Sequence, residues 1–313
     1  MKSVSIIYVN YKTKDITLAS IKSVIENTRD IDYEIILVDN NSGDGIVEEV
    51  NRLFPQVITI QSDTNLGFAG GCNLGVSQSS GKYILFLNTD TLLKENSIKV
   101  VYDFMEKNPN YGAVGVLLTD EEGRVVQSWG DFLPFRIGVK EFLLKPFLPK
   151  KMREKLNHKA TDYEEFEKSF FCDREVVEVD YIIGADMFVR RDVFYEVGKF
   201  DERFFMFFEE ADLQIRMRRK NYKVGIIRGT RIIHLESKSF KVSNAKRTMK
   251  MVSFLKYLRK HFPGYYVLFK PFSLIYGFAK LMMDVVLAKE YSVSENITFI
   301  KSLIFESFDF VKK

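Results

Sequence analysis

Short apolar runs alternate with polar segments of helical length between Val4 and Leu118, and this alternation restricts the fold more than any other feature. It is typical of an α/β domain in which helices cover both faces of a parallel sheet. We therefore predict a Rossmann-like, mostly parallel sheet flanked by helices. The predicted strands are Val4–Val9, Glu34–Val38, Val57–Ile60, Tyr83–Leu87 and Ala113–Leu118, and the predicted helices are Asp15–Glu26, Gly45–Leu53 and Gly71–Gln78.

The composition indicates a globular protein in a reducing, cytoplasmic compartment. With 313 residues, of which 46% are hydrophobic, the chain can bury a full core. Cys72 and Cys172 lie far apart and form no CxxC pair or Cys/His cluster, so neither a disulfide framework nor a structural zinc site is predicted. The apolar run near the N-terminus is about five residues long, whereas a signal peptide needs roughly 7 to 15.

Positive charge is concentrated in the C-terminal half of the chain. The segment from Gln214 to Met283 contains seventeen lysines and arginines and one acidic residue, Glu236. A block of this kind favours an anionic partner such as a membrane surface, a phosphorylated lipid or nucleic acid, or it forms a solvated basic face. Of these partners we expect a membrane surface and no nucleic acid.

Changes in the sequence pattern divide the chain into parts. The regular alternation fails over residues 130–175, which we interpret as an inserted, partly helical segment in an α/β domain spanning residues 1–242. Residues 243–313 follow the pattern of basic amphipathic helices and form a predicted C-terminal helical extension. The apolar residues on one face of its first helix are Val252, Leu255, Leu258 and Phe262.

Polar residues follow the predicted strands at the points where the strands end. Ligands of open parallel sheets gather at the carboxyl ends of the strands, so these residues are candidates for a binding site. They are Asn10 and Tyr11 after the first strand, Asp39, Asn40 and Asn41 after the second, and Asn88, Thr89 and Asp90 after the fourth.

Asp90 closes the segment YILFLNTD, so its carboxylate is expected at the mouth of the sheet. Hard divalent cations prefer such oxygen ligands and keep coordination positions for phosphate oxygens and water. The alternative role of Asp90 is to cap the next helix. His234 ends the apolar run GTRIIH and is either a further ligand or a satisfied structural histidine.

Three acids, Glu209, Glu210 and Asp212, follow an aromatic run and precede a strongly periodic helix. Acids at the start of a helix interact favourably with its dipole, so capping alone would account for them. The adjacent phenylalanines, however, create an apolar environment, which would raise the pKa of a carboxyl group toward that of a useful general base. This segment is therefore a candidate catalytic site.

The segment DTNLGFAGGCNLGV is rich in glycine and contains Asn65, Gly67 and Asn73. Glycines at a strand-to-helix turn allow a phosphate or sugar to approach the helix N-terminus, or they allow tight packing. The glycine spacing is neither that of a dinucleotide-binding fingerprint nor that of a P-loop.

Six segments in this order resemble the family 2 inverting glycosyltransferases of the GT-A fold, in particular their rhamnosyltransferase-like branch. The resemblance covers Val4 to Ser239, and the ordered set is far more specific than any one segment. It implies a GT-A catalytic domain over residues 1–242, with residues 130–175 on the acceptor side. The segments are SIIYVNYK, ILVDNNSGDG, NLGFAGGCNLGV, YILFLNTD, FFMFFEEADLQIRMRRKNYKV and IIH.

The resemblance implies a role for each matching position. A nucleotide-sugar donor is expected to contact the first strand ends, the glycine-rich turn and the Asn-Thr-Asp segment. The implied donor-binding residues are Asn10, Tyr11, Asp39, Asn41, Asn65, Gly67, Asn73, Asn88 and Thr89.

The resemblance also implies a metal site and a catalytic base. A divalent cation, Mg²⁺ or Mn²⁺, is expected on the pyrophosphate of the donor, held by Asp90 and His234. The catalytic base falls on Glu210, with Glu209 and Asp212 in support.

Two positions depart from the family pattern. Asn88 replaces an acid, which removes one negative charge from the metal site, and Glu210 stands where many relatives carry aspartate. Neither departure removes the chemistry, because one carboxylate together with phosphate oxygens can hold Mg²⁺ or Mn²⁺.

The implied activity is the transfer of a sugar to a hydroxyl group of a glycan acceptor by direct displacement, which inverts the anomeric configuration. The branch resemblance implies dTDP-rhamnose as donor, a lipid-linked acceptor and a role in bacterial cell-surface polysaccharide synthesis. One alternative is a sugar nucleotidyltransferase, which would need a glycine-rich basic loop where this chain has VNYKTKD. The other is a non-catalytic glycan- or membrane-binding protein, which the change at Asn88 leaves open.

The C-terminal extension is expected to place the protein at the inner face of the cell membrane. Its second apolar stretch is long enough to span a bilayer, but Lys270, Pro271, Lys280 and Asp284 interrupt it. A central charge disfavours insertion by roughly 2.5 to 3.5 kcal/mol, so a position in the membrane interface is favoured over a spanning one. The alternative is that this apolar face forms a homodimer contact.

Overall fold

The computed structural model describes residues 2–132, 161–235, 244–286 and 290–307. Most of the predicted inserted segment and the predicted boundary after residue 242 lie outside these residues. The described residues form two compact units. The first unit consists of residues 2–132, 161–202 and 210–235, and the second consists of residues 203–209, 244–286 and 290–307.

The first unit alternates short strands with helices. Its strands are β1 (Val4–Asn10), β2 (Tyr33–Asp39), β3 (Ile58–Gln61), β4 (Tyr83–Leu87), β5 (Thr91–Leu92), β6 (Tyr111–Thr119), β7 (Arg124–Val125), β8 (Trp129–Gly130), β9 (Thr161–Asp162), β10 (Val176–Glu178), β11 (Tyr181–Ile182), β12 (Asp186–Arg190) and β13 (Lys223–His234). Its helices are α1 (Lys14–Asn27), α2 (Ile46–Leu53), α3 (Gly67–Ser77), α4 (Ser97–Lys107), α5 (Tyr163–Phe171), α6 (Arg191–Glu196) and α7 (Glu209–Arg219), the last of which begins at the boundary with the second unit.

The main sheet of the first unit has the strand order β10-β13-β6-β12-β4-β1-β2-β3. β1 pairs in parallel with β2 and β4, and β6 pairs in parallel with β13. β12 runs antiparallel between β4 and β6. The prediction of a mostly parallel α/β sheet flanked by helices is confirmed. All five predicted strands are present, and their ends shift by at most two residues.

Helix α4 was not predicted from the apolar pattern. Its sequence includes the β-branched residues Ile98, Val100 and Val101, which locally favour a strand. Ile98, Val101 and Met105 are buried, at the spacing of one helical face. Packing of this face therefore overrides the local preference of the β-branched residues.

Alternate residues of the central strands pack into two separate apolar cores. In β1, Ile6 and Tyr8 belong to one core and Ile7 belongs to the other. In β4, Leu85 and Phe86 divide in the same way. Successive side chains of a strand point to opposite faces, so the sheet is covered on both faces. Polar groups accordingly emerge at the ends of the strands.

The glycines of α3 allow this helix to pack closely against β1. A Cβ atom on Gly71 would lie 2.7 Å from Val9 Cγ1, and one on Gly75 would lie 2.6 Å from Ile7 Cγ2. Both distances are shorter than a van der Waals contact, so these two glycines set the spacing between helix and sheet. The packing interpretation of the glycine-rich segment therefore holds for Gly71 and Gly75.

The second unit contains α8 (Asn244–His261), α9 (Pro263–Val286) and α10 (Glu290–Phe305), and these helices confirm the predicted helical extension. The apolar face predicted for α8 is buried at Val252, Leu255 and Leu258. No helix in the described part of the chain combines the length and the apolarity that crossing a lipid bilayer requires.

Helix α8 holds the 203–209 segment in place within the second unit. Ser253 Oγ donates a hydrogen bond to the carbonyl oxygen of Met206 at 2.7 Å. The ring of Phe208 lies 5.5 Å from that of Tyr257, measured between centroids. The turn that precedes the acidic residues of α7 is therefore supported by residues of the C-terminal extension.

We expect Gly75→Ala to lower the free energy of unfolding by about 1–3 kcal/mol, because the added methyl group overpacks a buried contact with Ile7. Gly264→Ala is the matched control, since no atom lies within 4 Å of a Cβ at that position in α9. Urea unfolding of the three proteins measures the difference. Equal stability of the Gly75→Ala variant and the wild type would contradict the packing role.

Candidate active site

The ends of β1 and β2 form one hydrogen-bonded cluster. Asn10 and Asp39 are partners in the parallel register, and Asn10 Nδ2 donates to Asp39 Oδ1 at 3.2 Å and to Ser42 Oγ at 2.9 Å. Asn10 Oδ1 accepts hydrogen bonds from the hydroxyl groups of Thr13 and Thr17 at 2.9 and 3.0 Å. Asn10 and Asp39 are almost fully buried, so this network holds the Asp39 carboxylate in a defined orientation.

Two other predicted donor-binding residues flank this cluster and are exposed. Tyr11 directly follows Asn10, and its side chain is 37% exposed. Asn41 is exposed in a left-handed conformation with φ of 60°, which asparagine tolerates better than most residues. An exposed aromatic ring beside an oriented carboxylate can stack on a planar base while the carboxylate accepts a hydrogen bond from a hydroxyl group.

Asn40 connects the end of β2 to the glycine-rich turn. Its Nδ2 donates to Asn65 Oδ1 and to the carbonyl oxygen of Gly67, both at 3.0 Å. Its Oδ1 accepts the backbone N–H of Leu66 at 2.9 Å. Gly67 starts α3 with φ of 75°, which glycine adopts without strain. The sequence placed Asn40 at a strand end without a role, and the structure shows that it fixes the turn carrying Asn65 and Gly67.

Asn73 has a different environment from the other predicted donor-binding residues. Its Nδ2 donates to the carbonyl oxygen of Phe200 at 3.0 Å and to Glu202 Oε1 at 2.8 Å. Its Oδ1 accepts the backbone N–H of Phe200 at 3.2 Å. The side-chain amide of Asn73 is therefore occupied in joining α3 to residues 200–202.

The residues after β4 lie next to the Asn10–Asp39 cluster. The backbone N–H of Asn88 donates to the carbonyl oxygen of Ala185 at 3.0 Å, which continues the pairing of β4 with β12. Thr89 Oγ1 lies 3.3 Å from Thr13 Oγ1, and Thr13 in turn donates to Asn10. A chain of hydrogen bonds therefore joins the ends of β1, β2 and β4.

Asp90 and His234 come together although they lie far apart in the sequence. β5 pairs antiparallel with the end of β13, where Thr91 is opposite His234. His234 Nε2 lies 3.4 Å from Asp90 Oδ1, and both side chains are at least 90% buried. His234 Nδ1 is also buried and has no hydrogen-bond partner among the described residues. Nε2, which faces Asp90, is the ring nitrogen that could share a ligand with that carboxylate.

The Asp90–His234 pair fits a divalent cation. Two ligands held at about 2.1 Å from one ion lie about 3 to 3.4 Å apart, which agrees with the observed separation of 3.4 Å. Within the described ranges, no group of three or more His, Cys, Asp or Glu residues could hold a metal ion. This pair therefore suits an ion that takes its remaining ligands from a bound phosphate and water.

The acidic residues at the start of α7 follow a strained turn. Phe207 and Phe208 have φ values of 70° and 67°, a left-handed conformation that is rare for bulky side chains. Such a conformation disfavours the folded state by about 1–3 kcal/mol per residue and is typical of functional sites. Glu209 is buried and Glu210 is partly buried. The strain therefore immediately precedes the carboxylate that the sequence assigns as the base.

Two buried polar side chains fix the rest of α7. Asp212 is fully buried and forms an ion pair with Arg216 at 2.7 Å, and Arg216 also donates to the carbonyl oxygen of Lys199 at 2.7 Å. Gln214 exchanges two hydrogen bonds with the backbone of Ile182, both at 2.8 Å. Asp212 thus supports the helix that carries Glu210.

Asp186 is a buried carboxyl group that the sequence analysis missed. Its Oδ2 accepts the backbone N–H of Val116 at 2.7 Å, and its Oδ1 has no hydrogen-bond partner in the described part of the chain. Burial raises the pKa of Asp186 well above its ordinary value. It lies opposite Leu87, three residues before Asp90. The feature of the sequence that could have indicated this buried carboxyl group is an acidic residue within the apolar segment ADMFV.

Comparison with known proteins identifies the family of the chain. Residues 3–174 match the family model described as glycosyl transferase family 2. The chain is 27% identical to the N-acetylglucosaminyl-diphospho-decaprenol L-rhamnosyltransferase of Mycobacterium tuberculosis over 216 residues, which cover 66% of this chain and 67% of the relative. It is 25% identical to the low-salt glycan biosynthesis hexosyltransferase Agl10 of Haloferax volcanii over 238 residues, which cover 75% of this chain and 67% of that protein.

Solved structures of low sequence identity share the fold. The structure of GalNAc-T7 with UDP, GalNAc and Mn²⁺ superimposes with a TM-score of 0.59 at 14% identity, over 83% of this chain and 48% of that chain. The mannosyltransferase PcManGT from Pyrobaculum calidifontis, in complex with GDP-Man and Mn²⁺, gives a TM-score of 0.55 at 11% identity, over 98% of this chain and 76% of that chain. This chain thus spans about half the length of the GalNAc-T7 chain.

The expected GT-A fold and the expected family are both confirmed by these findings. The family model covers more than half of the sequence and includes β1 through β4, whose ends carry the cluster described above. The chain therefore belongs to glycosyl transferase family 2.

Proposed function

We propose that this enzyme is an inverting glycosyltransferase that moves a sugar from a nucleotide-sugar donor to a hydroxyl group of a lipid-linked glycan. The observation that carries the proposal is the buried Asp90–His234 pair, which follows β4 beside the Asn10–Asp39 cluster. The name of the Mycobacterium tuberculosis relative specifies a diphospho-decaprenol acceptor and L-rhamnose, which supports a lipid-linked acceptor and dTDP-rhamnose as donor. The pathway is bacterial cell-surface polysaccharide synthesis.

The nucleoside part of the donor binds at the ends of β1 and β2. Asp39 is held by Asn10 so that its carboxylate accepts a hydrogen bond from a hydroxyl group on the sugar of the nucleoside. Tyr11 stacks on the base, and Asn41 borders it. Asn65 and Gly67 line the donor through the turn that Asn40 fixes. The remaining donor-binding residues in this proposal are Asn73, Asn88 and Thr89.

The diphosphate of the donor lies next to Asp90 and His234, which are the ligands that this chain offers to Mg²⁺ or Mn²⁺. When bound, the cation offsets the negative charge that develops on the departing nucleoside diphosphate. Asn88 contributes a neutral amide where an acid would add a second negative charge. Two structures that share the fold contain Mn²⁺, which supports a divalent cation here.

Glu210 accepts the proton of the attacking acceptor hydroxyl group, and Glu209 and Asp212 support it. The hydroxyl oxygen attacks the anomeric carbon from the side opposite the nucleoside diphosphate, so the configuration inverts in one step. Asp212 and Gln214 hold α7, which keeps the Glu210 backbone in place.

The C-terminal extension docks on the cytoplasmic face of the membrane in this proposal. Helix α9 exposes large apolar side chains at intervals of three or four residues, each 49–64% exposed. A stripe of this kind, in a unit rich in lysine and arginine, suits the interface of an anionic bilayer. Docking through this stripe would bring the enzyme to a lipid-linked acceptor in the membrane. The residues of the stripe are Leu268, Phe272, Ile275, Phe278 and Met282.

Replacing the proposed base should stop transfer and leave donor binding nearly intact. We expect Glu210→Gln to reduce turnover by about 10²–10⁴-fold, because the amide cannot accept the hydroxyl proton. Glu48→Gln, an exposed position on α2, is the matched control. A Glu210→Gln enzyme that keeps more than about half of the wild-type turnover would show that another group is the base.

The metal ligands should affect donor binding only when a divalent cation is present. With Mn²⁺, Asp90→Ala and His234→Ala should each weaken nucleoside diphosphate binding by at least about tenfold, and with a chelator they should not. Asn88→Asp restores a second acid and should strengthen the Mn²⁺-dependent part of the affinity. Titration calorimetry measures all four proteins, and equal affinity of the wild type with chelator and with Mn²⁺ would refute the metal site.

Membrane docking should depend on both charge and the apolar stripe. We expect the enzyme to cosediment with anionic vesicles, with binding that falls as salt rises. Ile275→Glu should abolish this binding, whereas Leu53→Glu, at an exposed apolar position of α2, should not. A dimer in solution that ignores anionic vesicles at low salt would assign the stripe to a homodimer contact instead.

A further inference from the structure

Arg247 on α8 lies beside two aromatic rings that belong to the other helices of the second unit. Its guanidinium carbon is 4.6 Å from the centroid of the Tyr276 ring on α9 and 5.4 Å from that of the Phe299 ring on α10. The two rings meet edge to face, with their centroids 6.5 Å apart. Contacts of this kind restrict the long side chain of arginine to one region of the surface.

The charge of Arg247 has no counterion in the described part of the chain. No described residue accepts a hydrogen bond from its guanidinium group or forms an ion pair with it, and the side chain is partly exposed. Lys270 in the same unit differs, because its ammonium group lies 2.7 Å from Glu306 Oε1. Aromatic rings attract the cation of Arg247 but leave its N–H donors without oxygen acceptors.

Tyr276 places Arg247 at the border of the apolar stripe of α9. With 3.6 residues per turn, Tyr276 lies about a quarter of a turn around α9 from the middle of the stripe. Ile275, directly before Tyr276, is 64% exposed, and Phe272, one turn before Tyr276, is 49% exposed. When the apolar face of an interfacial helix enters the bilayer, residues at the border of that face lie level with the lipid headgroups.

We propose that Arg247 binds the phosphate group of an anionic phospholipid when the stripe of α9 enters the bilayer. The planar guanidinium group donates two parallel hydrogen bonds to phosphate oxygens, and its contacts with the two rings pre-organise it for this geometry. The ligand is a lipid headgroup rather than a free anion, because the exposed apolar side chains beside Arg247 are covered only by an acyl chain. The assignment rests on the membrane docking proposed above and names the residue that recognises the headgroup.

Headgroup recognition by Arg247 differs from attraction by charge alone. Any cation near an anionic bilayer is attracted to it, and a lysine at position 247 would keep that attraction. A lysine would lose the paired donors that match phosphate oxygens. A purely electrostatic role therefore predicts that Arg247→Lys binds membranes as the wild type does, whereas headgroup recognition predicts a loss.

Cosedimentation with vesicles of phosphatidylglycerol and phosphatidylcholine tests the assignment. We expect Arg247→Gln to weaken vesicle binding by at least about tenfold and Arg247→Lys by at least about threefold. Arg219→Gln, at an exposed arginine of α7 in the first unit, removes the same charge and should change binding by less than about twofold. Urea unfolding of all four proteins verifies that they fold. A merely structural role of Arg247 would lower the unfolding midpoint and leave the vesicle affinity of the folded protein unchanged.

Inorganic phosphate distinguishes the lipid from a free anion. Replacing chloride by phosphate at equal ionic strength should leave the vesicle affinity of the wild type unchanged, and release by phosphate alone would overturn the lipid assignment. Equal vesicle affinity of the wild type, Arg247→Lys and Arg247→Gln would overturn the role of Arg247 and leave the membrane docking standing. A wild type that ignores anionic vesicles would refute the docking and this assignment together. Nucleoside diphosphate binding with Mn²⁺ should be the same in all four proteins, so the transferase proposal is tested separately.

Discussion

The pairing of β4 on both of its edges is the constraint on which the rest of the site depends. β4 pairs in parallel with β1 and antiparallel with β12, so its backbone polar groups are satisfied on both sides, and all five of its side chains are buried. A shift by one residue would move every side chain to the opposite face. The residues after Leu87 therefore emerge at one defined place, beside the cluster that joins Asn10 and Asp39.

The Asp90–His234 pair depends on a distortion of β13. This strand pairs in parallel with β6 as far as Ile227, its register then shifts, and pairing resumes at Arg231. Gly229 lies within the shift with φ of 91°, a conformation that favours glycine. Beyond it the strand also pairs with β5, and this brings His234 to Asp90. Bulges of this type commonly direct a side chain into an active site.

The second unit supports the turn that precedes the acids of α7. Its helix α8 packs against Phe208, one of two consecutive left-handed phenylalanines, and bonds to Met206. This packing stabilises a conformation that the chain would not adopt alone, immediately before the acids of α7.

Local patterns in the sequence determined the elements and the polar residues at strand ends, because side-chain periodicity and the abrupt end of an apolar run are properties of neighbouring residues. Asn10, Asp39 and Asp90 were found in this way. The same kind of local pattern singled out His234 and Glu210, and the family resemblance then implied their roles as metal ligand and base.

Only the tertiary structure decided the antiparallel direction of β12, the helical state of α4, the engagement of Asn73 with Phe200, the burial of Asp186 and the support by α8 of the turn before α7. Each of these depends on contacts between segments distant in sequence. The residues of a short apolar run do not indicate whether the strand is parallel or antiparallel. The burial of a polar side chain depends on the distant segments of the chain that pack over it.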